Sequence, residues 1–582
     1  MKNKFIYVSI AVLILVLTLF LGVFLFRSKT AKKITQNQKS EVKIVDGQPK
    51  LFVGGKELKT AITQLYYFPE ERAQKDVPGY STDEWTKRME KVIDDARKND
   101  TQIVIPQIWW SDVDKATARS SEPEKYYDFG SLDKIMDYAS RKGEYIMIGL
   151  SLHRYAPEWW LKENNFPPYS EGKVCDFCET DSYGNVYSNP GMGSDVTEKD
   201  LGSFMKAAVN RYKNHPALIG WVTGIGATSE DNYGPNYIML QGAAGGIGEV
   251  ERKQLMFTDY SPYFQRKFND WIKNKYRVDS ALQNAWSDTK VTMNNVAIPP
   301  AEELIKDTSS WIGLFPEESQ GNLGGDINNL SAKGKDFYEF RTYMANTDRN
   351  FYADLFKSND PNHILAMNTS GSKSVMENSK IDALIRNDSL CFDCPPTKMR
   401  ENQYAQITSS IKNASSKKLT FTAFEYGSAQ QGKAESNEQI AYTKTLGKAV
   451  KCAGGIFGYV SDLATENANL YPNWFSSSAQ KSIFEITGFV PSSGCDCNLV
   501  KDLWQKNKCD AGGNSGCQYI SKAYGDYCKV SVPEQKTIAP QNNQPNQPPI
   551  ENSSGNDRNG KCGDGTCDSI EKTSGMCPTD CK

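Results

Sequence analysis

Residues 217–234 read ALIGWVTGIGATSEDNYG. The stretch opens on an apolar run, 217–222, preceded by His215-Pro216 and followed by Gly224 and Gly226. A short apolar run bounded by such punctuation reads as a buried strand. The chain then delivers Glu230 onto a loop. Residues 419–427, LTFTAFEYG, repeat the shape, a β-prone alternation of Thr and Phe that ends on Glu425. A hydrophobic strand that finishes in an acid suits a parallel α/β barrel, whose interior is packed and whose C-terminal strand ends hold the site.

Working outward, the segment 61–71, AITQLYYFPEE, reads as a strand leading into an aromatic loop. Residues 82–98 carry apolar groups at helical spacing, and 101–108 form a buried strand ending at Trp109-Trp110. A helix capped near Ser131 and stopped by Gly143 follows, then a strand over 145–152 that leads to His153-Arg154 and to Ala156-Pro157-Glu158-Trp159-Trp160. Helix signals return over 197–212, 260–276 and 437–451. Elements of either type fall at 337–356 and 364–368, and a last strand at 455–460. Strand–helix alternation predicts an α/β fold, a (β/α)8 TIM barrel. Not every strand of an eight-fold barrel can be placed this way, so an open doubly wound sheet is the alternative. No phosphate-loop or dinucleotide glycine pattern supports it.

The 582 residues carry a net charge of -2, which points away from a nucleic-acid partner. Three His argue against a His-built zinc site or triad. Ten of the 14 Cys lie from Cys452 onward, a density that reads as disulfides in an oxidising compartment. Residues 5–26, FIYVSIAVLILVLTLFLGVFLF, are uncharged and long enough to span a bilayer. Without a small-residue cleavage site they read as an uncleaved signal anchor within residues 1–34. Lys2 and Lys4 before the span are outnumbered by Arg27, Lys29, Lys32 and Lys33 after it, which counts toward a cytoplasmic body. The Cys-rich tail argues for the outside, and long domains translocate largely regardless of charge. The expected order is then a tether at 35–50, the barrel at 51–490, a Cys-rich appendage at 491–534, a Pro/Asn/Gln linker at 535–560 and a four-Cys module at 561–582.

Residues 60–474 resemble glycoside hydrolase family 42, the β-galactosidase-like barrels of the retaining clan A. The carriers are Gln64-Leu65-Tyr66-Tyr67-Phe68-Pro69-Glu70, then Glu122-Pro123, Asp128-Phe129 and Leu132-Asp133, then Ala156 to Trp160, then His215-Pro216-Ala217 with Trp221, then Phe268 to Tyr276, Ala281 to Trp286 and Pro299-Pro300. The resemblance implies a carbohydrate substrate and hydrolysis of β-glycosides, β-galactosides among them. Two departures stand out. The family's Asn-Glu-Tyr-Gly is replaced by a longer loop in which Ser229 precedes Glu230, although matching on Tyr233-Gly234 would put Asn232 in the acid's place. The Arg expected on the second strand is missing from Ile105-Pro106-Gln107; His153 or Arg154 is the candidate substitute.

Retaining hydrolysis needs one carboxylate to attack the anomeric carbon and a second to protonate the leaving oxygen and then activate water. Glu425 is assigned as nucleophile and Glu230 as acid/base, with Asp231 its competitor; a strand-end ion pair is the plain alternative for Glu425. Tyr66, Trp109, Trp110, Trp159, Trp160, Trp221 and Tyr426 are candidates for a sugar platform, and His153, Arg154 and Ser229 for polar contacts. For each Trp, core packing competes. If the backbone stays extended, at most one of Trp109 and Trp110 faces the pocket. The pairs Cys175/Cys178 and Cys391/Cys394 read as disulfides or as four zinc thiolates. Otherwise no cofactor is expected, and Asp564, Asp568, Glu571 and Asp580 in the last module could hold calcium. Rival readings are an inactive glycan-binding barrel and an inverting or amylase-like hydrolase. Oligomeric state stays open.

Overall fold

The computed structural model describes residues 33–58, 62–66, 82–98, 102–151, 156–224 (with breaks at 168, 171 and 183), 259–304, 306, 330–368, 375, 377–389, 418–425, 448 and 456–461. Its centre is a closed barrel of eight parallel strands. Three short strands come first among the described residues: β1 (Ser40–Val45), β2 (Gln48–Val53) and β3 (Lys56–Leu58). The barrel strands are β4 (Ile62–Tyr66), β5 (Ile103–Ile108), β6 (Tyr145–Ser151), β9 (Leu218–Gly224), β10 (Ile364–Asn368), β11 (Ala383–Ser389), β12 (Leu419–Glu425) and β13 (Ile456–Ser461). A separate antiparallel hairpin, β7 (Cys178–Thr180) and β8 (Val186–Pro190), sits between β6 and β9 in the chain. Closure between β13 and β4 excludes the open doubly wound sheet.

The helices form where the sequence spacing requires. In α1 (Thr82–Lys98) the buried apolar residues are Trp85, Met89, Val92, Ile93 and Ala96, one stripe at helical period. In α2 (Gly130–Lys142) they are Leu132, Ile135, Met136 and Ala139, and Gly143 ends it in the left-handed region at φ 74°. The further helices used below are α3 (Glu158–Glu163), α4 (Asp195–Tyr212), α5 (Pro262–Tyr276), α6 (Asp279–Trp286) and α7 (Ala332–Asn359). Ser194 caps α4, its Oγ accepting from Thr197 N at 3.3 Å.

Two hydrophobic layers result. The outer one lies between barrel and helices. The inner one fills the barrel with Ile103, Ile105, Met147, Ile219, Val222, Ile364, Ala366, Ile385 and Phe421. Gly220 sits where the register shifts beside Met147; a Cβ there would meet Ile364 Cγ1 at 2.8 Å and Met147 Cε at 3.1 Å. Only a residue without a side chain fits this approach inside the barrel.

The expected tether at 35–50 is corrected by the structure. Its second half is folded: β1, β2 and β3 make an antiparallel sheet whose Leu51, Val53 and Leu58 join the inner core. The sheet seals the N-terminal end of the barrel. Ser40 Oγ accepts from Ile364 N at 2.9 Å and donates to Ile219 O, while Ser40 N donates to Asn362 O at 3.0 Å. The expected anchor, residues 5–26, and everything beyond residue 461 lie outside the described residues. Among the described residues no helix is long and apolar enough to cross a membrane.

Candidate active site

In a parallel barrel the strands all end on one face. Here the last residues of the eight strands are Tyr66, Ile108, Ser151, Gly224, Asn368, Ser389, Glu425 and Ser461. Strand residues two apart share a face, and the interior face changes character near that end. Along β5 the buried series runs Ile103, Ile105, Gln107; along β10 it runs Ile364, Ala366, Asn368. Gln107 is 4% exposed and Asn368 2%. Burying an amide costs a few kcal/mol unless it is bonded, so two of them capping an apolar core mark where packing gives way to polar chemistry. Glu425, the final residue of β12, is in register with Ser389 of β11 and Val460 of β13.

The loop after β5 builds one wall. Trp109 remains extended at φ -97°, and a single helical turn starts at Trp110. Both indoles are buried, at 1% and 3% exposure, so neither offers an open face for a sugar. Asp114 ties the loop down. Its carboxylate accepts from Trp110 Nε1 at 3.1 Å and Ala116 N at 2.9 Å. Burial pushes this carboxyl above its ordinary value, and those bonds pull back.

Trp110 meets Trp159 edge-on at 6.1 Å and Trp160 at 5.5 Å. Trp160 is wholly buried against Phe166 and Phe177 and donates to Asp200 at 2.9 Å. Trp159 is only half-buried, with the Arg119 guanidinium 5.7 Å from its ring. Arg119 is itself held by Glu163 at 2.7 Å and Asp200 at 2.9 Å. Trp159 is therefore the one tryptophan of the expected platform that keeps accessible surface.

Trp221 is corrected outright. It packs against Phe356 of α7 at 5.7 Å and donates its indole N–H to Asp360 at 2.8 Å, in the outer layer. The pair Cys175/Cys178 forms a disulfide, and sulfurs so joined supply no thiolate to a metal. Cys391 and Cys394 lie outside the described residues, as do His153, Arg154, Ser229, Glu230 and Tyr426. Tyr66 and Glu425 are placed as strand ends.

The disulfide opens the β7–β8 hairpin, which forms the rim after β6. Asp259 fastens it, accepting from Thr180 N at 3.1 Å and Ser261 N at 2.8 Å; burial pushes its carboxyl up to about 7 against those bonds. Arg266 grips Asp176 with two bonds, at 2.8 and 2.5 Å. Beyond β8, Gly193 N donates to Asp348 of α7 at 2.9 Å, and Asp348 bonds carboxyl to carboxyl with Glu198 of α4. Burial, then the Asp348 charge, pushes Glu198 up to about 8, which favours a proton on this pair.

Comparison with known proteins now bears on this geometry. Residues 80–236 match the family model of glycoside hydrolase family 42, described as beta-galactosidase. The matched stretch takes in the second to fourth barrel strands. The chain is also 24% identical to a beta-amylase of Bacillus cereus over 222 residues, 36% of each chain. It is 27% identical to the beta-galactosidase LacZ of Heyndrickxia coagulans over 176 residues, 29% of this chain and 21% of that one. It thus spans about a third and a fifth of these relatives' lengths. Among solved structures, the catalytic domain of a beta-amylase from Paenibacillus polymyxa overlays with a TM-score of 0.51 at 12% identity, covering 74% of this chain and 99% of that one. That likeness carries the barrel fold. Gln107, Asn368 and Asp114 went unassigned in the sequence; the alternation Ile-x-Ile-x-Gln in β5 was the available signal.

Proposed function

We propose that this chain is a retaining β-glycosidase with Glu425 as nucleophile and Glu230 as acid/base. The observation that carries the reading is the end of β12. Leu419 and Phe421 belong to the barrel's inner core, and residue 425 falls in the same two-residue register. It closes the seventh barrel strand in chain order, and the loop bearing Glu230 leaves the fourth. Strands about 4.8 Å apart and tilted in an eight-fold barrel put the fourth and seventh roughly 14 Å from each other across the mouth. A separation of that size between two strand ends suits the roughly 5–5.5 Å between carboxylates that retention requires. The match to the beta-galactosidase family supports β-galactosides as the first substrates to try.

The mechanism is then a double displacement. Glu425 attacks the anomeric carbon while Glu230 donates its proton to the departing oxygen. Glu230 then takes a proton from water, which releases the sugar from Glu425 with its configuration kept. Trp159 offers a ring face for a sugar, and Gln107 and Asn368 supply amides at the floor of the pocket.

The likeness to beta-amylases favours one second reading, an inverting amylase-like hydrolase. Its carboxylates would stand roughly 6.5–9.5 Å apart to admit a water. Incubation with 2-deoxy-2-fluoro glycosides followed by peptide mapping separates the two. A covalent adduct on the peptide with Glu425 supports retention. Turnover of unmodified substrate with inverted product and no adduct sinks it, and absence of turnover with glycan binding retained points to an inactive barrel.

We also assign residues 5–26 to a membrane anchor with the barrel outside the cell. The uncharged sequence supports the span. The Cys175–Cys178 disulfide supports an oxidising compartment for the barrel.

A further inference from the structure

The point at which the chain reaches the barrel limits how an anchored barrel can stand. Ile34 is already docked. Its N donates to Ser140 O at 3.0 Å and its O accepts from Ser140 Oγ at 2.6 Å, at the last turn of α2. Asn37 Nδ2 donates to Lys213 O at 2.6 Å, just past α4, and Asn37 Oδ1 meets His363 Nε2 at 3.1 Å, just before β10. Gln38 Oε1 accepts from the Tyr145 hydroxyl at 3.3 Å at the start of β6. Every one of these partners lies on the N-terminal face, the end opposite the strand tips.

We infer that the barrel stands with its sealed N-terminal face toward its own membrane, so that its substrate face takes glycans arriving from the medium and not glycolipids of the bilayer that carries the anchor. This rests on the anchor and glycosidase readings above. Between residues 26 and 34 the chain has few residues, and at full extension 27–33 reach roughly 25 Å. The long helix α7, 28 residues, ends at the docked face beside His363. At 1.5 Å per residue it is about 42 Å long and extends past the strand tips. Turning the substrate face onto the bilayer would lift Ile34 about 42 Å from it, beyond the reach of the tether. Arg27, Lys29, Lys32 and Lys33 shorten that reach further wherever they hold anionic headgroups.

The test uses the full chain in phosphatidylglycerol-containing vesicles with an acceptor dye on the lipid headgroups. An azido-phenylalanine carries the donor in place of Asn214, next to the Asn37 contact, or in place of Glu124, on the loop after β5; both are exposed. Strong transfer from position 214 and its loss at position 124 is expected. A flexible Gly/Ser insert of about 30 residues between Ala31 and Lys32 should erase the difference. Equal or reversed transfer in the parent chain, or a difference that survives the insert, overturns the orientation. Failure to float with the vesicles removes the anchor, and the inference goes with it. For substrate class, the anchored chain should hydrolyse a soluble galactoside and spare the same sugar on a lipid in its own bilayer, and the insert should unlock the lipid. Cleavage of that lipid by the parent chain overturns the inference. Hydrolysis of neither sugar, with orientation as expected, overturns the glycosidase reading instead.

Discussion

The two ends of the barrel use the same residue types for opposite purposes. At the sealed end, His363 Nδ1 and Trp221 Nε1 both meet Asp360, at 2.7 and 2.8 Å, and each of the three is buried. Burial alone would push Asp360 up, but the bonds with His363 and Trp221 hold its carboxyl below the usual range. These bonds, with that from His363 Nε2 to Asn37, join strand β9, the end of α7 and the segment leading into β1. At the open end, Gln107 and Asn368 interrupt the apolar interior, Trp159 keeps surface, and an acid closes β12. An acid, a histidine and a tryptophan in contact are thus no evidence of catalysis until the end of the barrel is known.

The contrast is broken most severely at Glu425. Glu425→Gln keeps shape and removes the nucleophile, so hydrolysis should fall on the order of 10⁴-fold with unfolding unchanged. Steady-state rates beside a denaturation curve decide it. A variant that retains most of its rate would move the chemistry to another acid.

At the other end the signs reverse. Leu51 is wholly buried where the plug meets the inner core. Leu51→Ala should cost about 2–5 kcal/mol of stability, seen as a lower denaturant midpoint, with kcat per folded molecule unchanged. A loss of rate without loss of stability would mean that the plug communicates with the site.

The rim gives a pH test. Glu198 faces Asp348, Asp195 and Lys267, with Tyr352 of α7 beside the pair. Its carboxyl is held near 8, above the ordinary 4.5 of an unfolded chain. The folded state therefore binds the proton more tightly. This contribution to stability is complete below about pH 4.5 and is lost as pH rises toward 8. Glu198→Gln mimics the protonated form, so its melting temperature should fall less than that of the parent between pH 5 and 8. Parallel melting curves across that range would show that the pair is not sharing a proton.

How much of this was legible follows from what each element exposes. Helices α1 and α2 each bury one periodic face, and strands β5, β6 and β12 are short apolar or β-prone runs, and the sequence showed them within a residue or two. Strands β1 and β2 did not show, because SEVKIV and QPKLFV mix charge with apolar residues on a half-exposed sheet and read as tether. Strand β11 hides in ALIRNDS, where three apolar residues give way to polar ones at the mouth. Trp221 was misplaced for a subtler reason. The register shift beside Gly220 puts both Ile219 and Val222 inside the barrel and turns Trp221 outward, so counting by twos across it fails. The end of β12 at Glu425 was legible because its Thr/Phe alternation stops there.

The smallest expected effect is at Asp114, where the comparison is sharpest because the group is structural yet sits at the open end. Two donors converge on its carboxylate: the Trp110 side chain and Ala116 N. Asp114→Asn keeps the volume but replaces one acceptor with an N–H₂ that must face a donor. One hydrogen bond lost costs about 1 kcal/mol. The Trp110 ring that Asp114 holds packs on wholly buried Trp160 and on Trp159, which keeps some surface, so the loss should appear as freedom of Trp159. If that ring carries a sugar, KM rises roughly fivefold with kcat held. A matching fall in kcat would place Asp114 against the reacting atoms. An unchanged KM, with Trp159 fluorescence altered, would take Trp159 out of the sugar site and leave the whole tryptophan wall as scaffold.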